Sequence, residues 1–459
     1  MRYSTLLLLS FFTVFSTLTL AQTNTWTGAA SDSNWHNASN WSLLEVPNAT
    51  HDVSVPTAAI VTIHESASCQ SLSLNGTSFL KLAADLTVTS DLNIAAKAQI
   101  EWNSDQLQVS GILTNLGIIL MTDFTERQLH ATVINNEGTI HLLSTNLTRI
   151  SGGSVINNLD SGSIIIDSVG GILSNTGEAT INNQGLLQKT SPTDELSTFY
   201  LIVETNNTGT IDVTQNQMLL ILGGAAVLNN YEEGVIQGSG IYDITAAFTN
   251  VGSVAPGGLA EVGTLSVINL FTINNPGILA LDLGGVDSDQ YDRIEVQGSP
   301  IVQADLQLNL MYEAAIGDTF TVLTSTPSGL SSCELPETVT AVFLDQLYTF
   351  EVRCLSNQIE LEVIDKVLSV AQQQQKEPSL IINPNPVSER AIFLYQTPSP
   401  EVSEYQAKIY NVLGQQVYNF TILPNQEFAF DRDKLKSGIY MVQILAGNQT
   451  VASAKMIIK

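Results

Sequence analysis

Asparagine pairs return through the middle of the chain at a nearly constant interval, and this repeat constrains the fold more than any other feature. Pairs begin at positions 135, 157, 182, 206, 229 and 274, and single asparagines stand at 115 and 250. The steps between these positions are 20, 22, 25, 24, 23, 21 and 24 residues. A period of about 20 to 50 residues is typical of proteins built from stacked, similar units. The chain is therefore predicted to be a repeat protein.

Each repeat is predicted to form one coil of a parallel β-solenoid. Asn and Gly tolerate left-handed backbone at a corner, and the β-branched runs that follow them, such as Ile164–Ile166, suit short strands. Asparagines at one corner of successive coils can hydrogen-bond along a ladder. Helical periodicity and a leucine-rich frame are both missing. We therefore predict an all-β fold, with a solenoid that we expect to be right-handed and a small C-terminal β-sandwich.

The charge balance disfavours two classes of partner. The 459 residues include 17 Lys and Arg against 44 Asp and Glu, which gives a net charge of −27. Nucleic-acid binding requires clustered cations, and binding to an anionic membrane surface requires basic segments. We expect neither partner, and solubility outside the cell explains the acidic balance.

The first residues have the pattern of a secretory signal peptide, predicted to span 1–21. Arg2 precedes an apolar run, Leu6–Phe15, and the small residue Ala21 stands at the predicted cleavage site. No later stretch has the roughly 18 uncharged apolar residues that a spanning helix needs. The mature protein is expected to be exported and to have no transmembrane span.

Three cysteines follow the signal peptide. Cys333 and Cys354 flank an apparent strand pair, and in an oxidising compartment they are predicted to form a disulfide. Cys69 is then either a buried free thiol or an intermolecular link. The cysteine spacing does not match a metal site.

A tryptophan-rich segment, 22–56, precedes the repeats and contains Trp26, Trp35 and Trp41. This segment resembles the opening segment of many exported bacterial β-solenoids in its short motifs, W-x-G, N-W, P-N and D-V-x-V-P. A solenoid needs a cap because a terminal coil leaves strand edges unpaired. Clustered tryptophans also stack on sugars, so carbohydrate binding is the alternative role for the three rings.

Residues 253–326 resemble the closing segment of passenger-type (autotransporter-like) bacterial β-helices. The match lies in Ala255-Pro256-Gly257, in G-T-L-x-V at 263–267 and in Y-D-x-I-x-V-x-G at 291–298. The repeat spacing predicts solenoid coils over 57–300, and the strands that follow are predicted to form a C-terminal β cap over 301–365. Four acids nearby are interpreted either as a Ca²⁺ site or as a solvated acidic turn; they are Asp282, Asp287, Asp289 and Asp292. No other cofactor is expected.

The last 80 residues or so resemble the type A C-terminal sorting domain of the type IX secretion system. The motif text runs through Asn383–Pro386, Lys408–Val417, Leu435–Val442 and Lys455–Lys459. The motif residues are Pro384, Asn385, Pro386, Gly414, Val417, Leu435, Gly438, Tyr440 and Lys455. The resemblance implies an Ig-like β-sandwich at 379–459, after a Gln-rich linker at 366–378.

This resemblance also implies partners and a destination. The sorting domain would be read by the type IX translocon and sorting machinery and then removed. The body would be attached to surface lipopolysaccharide or released, so the expected location is extracellular or on the bacterial outer-membrane surface.

The sequence contains no G-x-S-x-G elbow, Walker loop, H-E-x-x-H motif or paired-cysteine metal site. Carboxylates one coil apart are neighbours in a solenoid, so Asp167 with Glu137 or with Asp212 stays a candidate pair for polysaccharide hydrolysis. His130 and His141 are the corresponding histidine pair. The preferred hypothesis is an adhesin-like or structural protein without catalysis. The alternatives are a polysaccharide lyase or hydrolase on one solenoid face and a carbohydrate-binding protein that uses the tryptophans.

Overall fold

The chain is described here by a computed structural model. The described residues are 21–122, 126–143, 146–151, 153–167, 169–174, 179–190, 196–221, 223, 226–258, 260–368, 379–397, 402, 404–411, 413–432, 435–447 and 449–459. The predicted signal peptide up to residue 20 and the linker residues 369–378 lie outside them. Within these ranges the regular structure is β-strand, apart from one 3₁₀ turn at Ala38–Asn40. Two compact units divide at Lys366 and Val367, except that Leu344–Gln346 group with the second.

The first unit is a parallel β-solenoid whose coils contribute strands to three columns. The first column holds Gln22–Thr25, His51–Val55, Ser71–Leu74, Leu92–Ile94, the second halves of Gln106–Asn115 and Arg127–Asn136, Val155–Asn158, Thr180–Asn183, Glu204–Asn207, Val227–Asn230, Ala247–Asn250, Thr272–Ile273, Ile301–Gln303 and Ser332–Glu334. The second holds Ile60–Ile63, Phe79–Leu82, Gln99–Trp102, Ile118–Met121, Thr139–Leu142, Ser163–Ile166, Leu186–Lys189, Thr210–Val213, Val235–Gly238, Ser253–Pro256, Ile278–Leu283 and Asp305–Leu310. The third holds Ala67–Cys69, Leu86–Val88, the first halves of Gln106–Asn115 and Arg127–Asn136, Leu147–Ser151, Gly170–Ser174, Ser197–Ile202, Gln217–Ile221, Ile241–Ile244, Thr264–Asn269, Arg293–Gln297 and Thr319–Thr326.

The parallel stack extends past the predicted solenoid boundary at residue 300. Ser332–Glu334 still pairs in parallel with Ile301–Gln303. Gln358–Leu368 runs in the opposite direction and pairs antiparallel with Thr319–Thr326. Two further strands, Thr338–Phe343 and Gln346–Cys354, complete this closing segment. A reversed strand ends the stack because its direction no longer offers the next coil a parallel register.

Alternation along each strand places one set of side chains in the core. In the second column the inward position is aliphatic in coil after coil, so like side chains stack along the interior. The stacked set is Ile140, Ile164, Leu187, Ile211, Ile236 and Val254.

The corner asparagines form two ladders, one inside and one outside. The inner ladder consists of seven buried asparagines, and the Nδ2 of each of the first six donates to the Oδ1 of the next at 2.7–2.8 Å; they are Asn115, Asn136, Asn158, Asn183, Asn207, Asn230 and Asn250. The outer ladder is half-buried, with bonds of 2.9–3.2 Å, and consists of Asn135, Asn157, Asn182, Asn206 and Asn229. In the outer ladder each later Nδ2 donates to the earlier Oδ1, so the two rows of amide dipoles oppose one another.

The ends of the inner ladder correct the register predicted from the sequence. The single residues Asn115 and Asn250 align with the second asparagine of each pair, and the true steps are 21, 22, 25, 24, 23 and 20 residues. Asn274 is not a rung, because its N–H donates to the Asn250 carbonyl and Ile273 fills the inward position. Ile94 fills the same position before Asn115. The ladder therefore ends where an apolar side chain replaces the amide.

Close approach of neighbouring coils, and not left-handed backbone, explains the corner glycines. None of the seven has a positive φ. A Cβ added to any of them would lie 2.2–2.3 Å from an oxygen atom; the seven are Gly117, Gly138, Gly162, Gly185, Gly209, Gly234 and Gly252. The expectation of left-handed corners was wrong, because the stacking distance selects glycine here.

We expect Gly185→Ala to destabilise the solenoid by about 3 kcal/mol, at the upper end of overpacking costs. Its Cβ would lie 2.2 Å from the Gly162 carbonyl oxygen, which is backbone and cannot rotate away. Chemical denaturation of both proteins measures the change. Gly223→Ala is the control, because its nearest atom lies at 3.4 Å and an ordinary contact results. Equal stability of the two variants would contradict the packing argument.

Candidate functional site

The C-terminal unit packs two antiparallel sheets around one core. One sheet contains Ser379–Asn383, Arg390–Gln396 and Glu427–Asp431. The other contains Tyr405–Asn411, Gln416–Ile422, Gly438–Ala446 and Gln449–Ile458. Tyr395 and Tyr405 meet across the two sheets with their ring centroids 4.7 Å apart. This arrangement is the small β-sandwich expected from the sequence.

The Asn-Pro-Asn-Pro segment fastens the beginning of the unit to its last strand. Asn385 Nδ2 donates to the Lys455 carbonyl at 2.7 Å, and its Oδ1 accepts from the Ile457 N–H at 2.8 Å. Pro384 and Pro386 lie exposed on either side of this residue. Val387 then continues the pairing, since its N–H donates to the Ile457 carbonyl and its carbonyl accepts from Lys459. The side chain of Asn385 thus acts as a backbone partner for the final strand.

The other motif residues occupy turns, the core and the exposed face. Gly414 lies in the turn after Asn411, with φ of +77°, and Tyr440 is buried with its hydroxyl donating to the Lys436 carbonyl at 2.8 Å. Leu435 packs partly against the core, whereas Val417, Gly438 and Lys455 are exposed. Four of the nine motif residues therefore have a role in closing or turning the sandwich, namely Asn385, Gly414, Leu435 and Tyr440.

Comparison with known families agrees with this geometry. Residues 381–459 match the family described as the secretion system C-terminal sorting domain. This unit is a type IX C-terminal sorting domain. A second match covers residues 25–132 and is to a domain of unknown function (DUF8693). A search of curated proteins found no match. The sorting domain shows that the protein is secreted or held at the cell surface and that it interacts with the type IX machinery. No helix within the described residues is long and apolar enough to cross a membrane.

We expect Asn385→Ala to lower the stability of the sorting domain by about 1–2 kcal/mol, because two backbone groups of the last strand lose their partner. Thermal unfolding and hydrogen exchange of the last strand measure the loss. Asn419→Ala is the matched control, since that exposed side chain has no hydrogen-bond partner among the described residues. An unchanged exchange rate at Ile457 would contradict the proposed fastening.

The three N-terminal tryptophans are buried in the cap. Trp26, Trp35 and Trp41 are 5%, 0% and 1% exposed, and Trp41 meets both other rings edge-on at centroid distances of 5.0 and 4.8 Å. Trp41 Nε1 donates to the Trp35 carbonyl, and Trp35 is joined to the stack through its N–H bond to Thr62. Sugar stacking needs an open ring face, which these buried rings lack, so the packing supports the capping role.

The cysteines lie in two different settings. Cys333 and Cys354 are joined by a disulfide, with their Cα atoms 6.1 Å apart, which ties the last first-column strand to the closing segment. Cys69 is buried, and burial together with the nearby Asp52 raises the pKa of its thiol to about 12. A thiol with so high a pKa is a poor nucleophile at neutral pH.

The four aspartates considered for Ca²⁺ divide into structural and exposed residues. Asp292 accepts from the N–H groups of Gly263 and Asp282, each at 2.8 Å. Asp282 in turn accepts from Asn309, whereas Asp287 and Asp289 are exposed. Within the described part of the chain, no three His, Cys, Asp or Glu side chains are grouped to hold a metal ion. Asp292 instead holds two backbone segments together.

Burial raises the pKa of Asp292 from 3.8 to about 8. Between about pH 4 and pH 8 the folded protein holds a proton that the unfolded chain has released, so stability from this group falls as pH rises. We expect a slope of at most about 1.4 kcal/mol per pH unit. Denaturation across this range measures it. Asp292→Asn should be less stable near pH 4, because it has one acceptor oxygen fewer, and should lack this slope; an unchanged slope would contradict the assignment.

A polar trough of about 650 Å³ lies beside the corner glycines. Its lining includes three acidic side chains, Asp160, Asp212 and Glu261, and backbone at Gly185 and Gly209. Burial raises the pKa of Asp212, Glu261 raises it further, and the bond from Gln188 Nε2 at 2.7 Å opposes the shift.

The carboxylate and histidine pairs considered from the sequence are arranged differently. His141 Nε2 lies 2.7 Å from Asp167 Oδ2, so Asp167 pairs with a histidine one coil away. His130 instead contacts Gln128 on its own strand. The trough combines Asp212 with Glu261, a pairing that the sequence did not indicate because Glu261 lies in an irregular loop two coils later.

Proposed function

We propose that this protein is an adhesin-like spacer, exported by its sorting domain and displayed at or released from the cell surface. The continuous inner asparagine ladder is the observation that carries the proposal. It joins seven consecutive coils through buried hydrogen bonds, in addition to the backbone pairing of the coils. Such a body resists bending because each coil is bonded to both neighbours. A stiff body joined to an export signal suits a protein that spaces the cell from the surface to which the cell attaches.

The proposal is tested by comparing attachment of cells with and without the intact protein. We expect deletion of the whole chain to reduce attachment to a surface severalfold. A protein that keeps the sorting domain but lacks the coils from 139 to 250 should reach the surface and fail to restore attachment. Restored attachment by this shortened protein would contradict a spacer role.

The polar trough supports a second candidate, the binding or cleavage of a polysaccharide. Glycoside hydrolysis requires one carboxyl that stays protonated and a second carboxylate nearby. Burial raises the pKa of Asp212, which is the direction that a general acid requires, and Glu261 lines the same trough.

A panel of acidic, neutral and amino polysaccharides tests this candidate through binding and released products. We expect Asp212→Asn and Glu261→Gln each to abolish cleavage, or to weaken binding at least tenfold. Glu65→Gln is the control, because that exposed acid lies outside the trough. Activity that survives both trough substitutions would exclude the trough as the site.

A further inference from the structure

A lysine lies in the solenoid core where its neighbours are aliphatic. Lys189 is 0% exposed and aligns with Ile166 in the coil before and with Val213 in the coil after. Lysines are almost never fully buried without an acidic partner. Within the described residues Lys189 forms no ion pair. Among the described residues, the groups that hold its amine in the core are neutral.

These neutral groups bring the amine against a buried carboxamide. Lys189 Nζ lies 2.7 Å from the Thr190 carbonyl, 2.7 Å from Ser197 Oγ and 3.0 Å from Gln217 Oε1. Gln217 is 1% exposed and opens the third-column strand of the next coil. Ser197 Oγ donates to the same Gln217 oxygen. The carboxamide is thus polarised at its oxygen and has an amine beside it.

We propose that Lys189 and Gln217 join in an isopeptide bond that cross-links two consecutive coils. The lone pair of the neutral Lys189 amine attacks Gln217 Cδ, and a Nζ–Cδ bond forms. The Cδ–Nε2 bond then breaks, and the departing nitrogen takes up the proton that Nζ releases and leaves as ammonia. No atom is oxidised or reduced, and the reaction needs no further reactant.

The surroundings favour each part of this step. Burial lowers the pKa of Lys189 to about 8, so part of the amine is neutral in mildly alkaline solution. The Ser197 hydroxyl stabilises the charge that develops on the Gln217 oxygen. The fold holds the two groups together, which replaces a bimolecular encounter. The product also removes a buried charge from the core and closes a loop of 28 residues.

Mass spectrometry of the full chain tests the proposal. We expect the folded protein, incubated at pH 8, to yield one branched proteolytic peptide that contains both Lys189 and Gln217 and is lighter by one ammonia. Lys189→Met and Gln217→Met should yield no branch. Ser197→Ala keeps both reacting groups and should form the branch at least tenfold more slowly. The test requires the branched peptide itself. Loss of one ammonia from the intact mass is not sufficient, because cyclisation of an N-terminal glutamine such as Gln22 also releases ammonia.

Lys81→Met provides the control, since Lys81 is a second-column lysine that pairs with Glu101 at the surface. In this variant the branched peptide of Lys189 and Gln217 should form as fast as in the unaltered protein. Separate, unmodified peptides for Lys189 and Gln217 from fully folded wild-type protein would overturn the proposal and leave a buried lysine held by hydrogen bonds alone.

Discussion

A chain that ends at residue 378 is expected to accumulate in the periplasm, with almost none at the cell surface or in the medium. The truncation removes the whole sorting domain, residues 379–459, whose last strand ends at the final residues of the chain. The solenoid has its own core and closing strands, so it should still fold. Cell fractionation with antibodies against the solenoid measures the distribution.

Two controls separate lost export from lost folding. Protease resistance of the trapped protein should equal that of the exported solenoid. A reporter with a signal peptide and residues 366–459 at its C-terminus should leave the periplasm, which shows that the sorting domain is sufficient. Normal surface display of the truncated chain would refute its role in export.

Asn183→Ala is expected to cost the solenoid about 3 kcal/mol or more. Asn183 accepts from Asn158 Nδ2 and donates to Asn207 Oδ1, both at 2.7 Å and both in the core. Each buried polar group left without a partner costs about 1–3 kcal/mol. Chemical denaturation measures the loss, and hydrogen exchange should show faster local opening in the coils on either side.

The adjacent residue supplies the matched control. Asn182 belongs to the outer ladder, with bonds of 3.0 and 3.2 Å to Asn157 and Asn206. Water can replace these bonds because the outer asparagines are only half-buried, so Asn182→Ala should cost about 1 kcal/mol or less. If the two substitutions cost the same, burial of the inner ladder does not determine its contribution.

Short sequence patterns were sufficient to predict the class of fold and the export domain. The Asn-Asn repeat and the β-branched runs predict stacked coils because one corner recurs once per coil. The sorting motifs predict the sandwich because their turns and alternating strands are contiguous in the sequence. Asn385 is a partial exception, since its bonds to the last strand span 70 and 72 residues.

The alignment between coils could not be obtained by counting residues. Coil lengths vary, so the single residues Asn115 and Asn250 belong to the second position of each pair, and Ile273 replaces the next rung. The burial of the three tryptophans likewise became known only from the packing of the structure, because composition alone does not distinguish a buried ring from an exposed one. The trough at Asp212 and Glu261 arises only when separate coils are stacked.

The sequence by itself determined the all-β class, the repeat and the sorting domain, because these depend on periodicity and on motifs read along the chain. The tertiary structure decided which asparagine of each pair is buried, why the corner residue is glycine, and how Lys189 comes to lie against Gln217. The physical reason is distance. Side chains that are more than 20 residues apart become neighbours only through the backbone pairing of successive coils, and that pairing alone sets which of them meet.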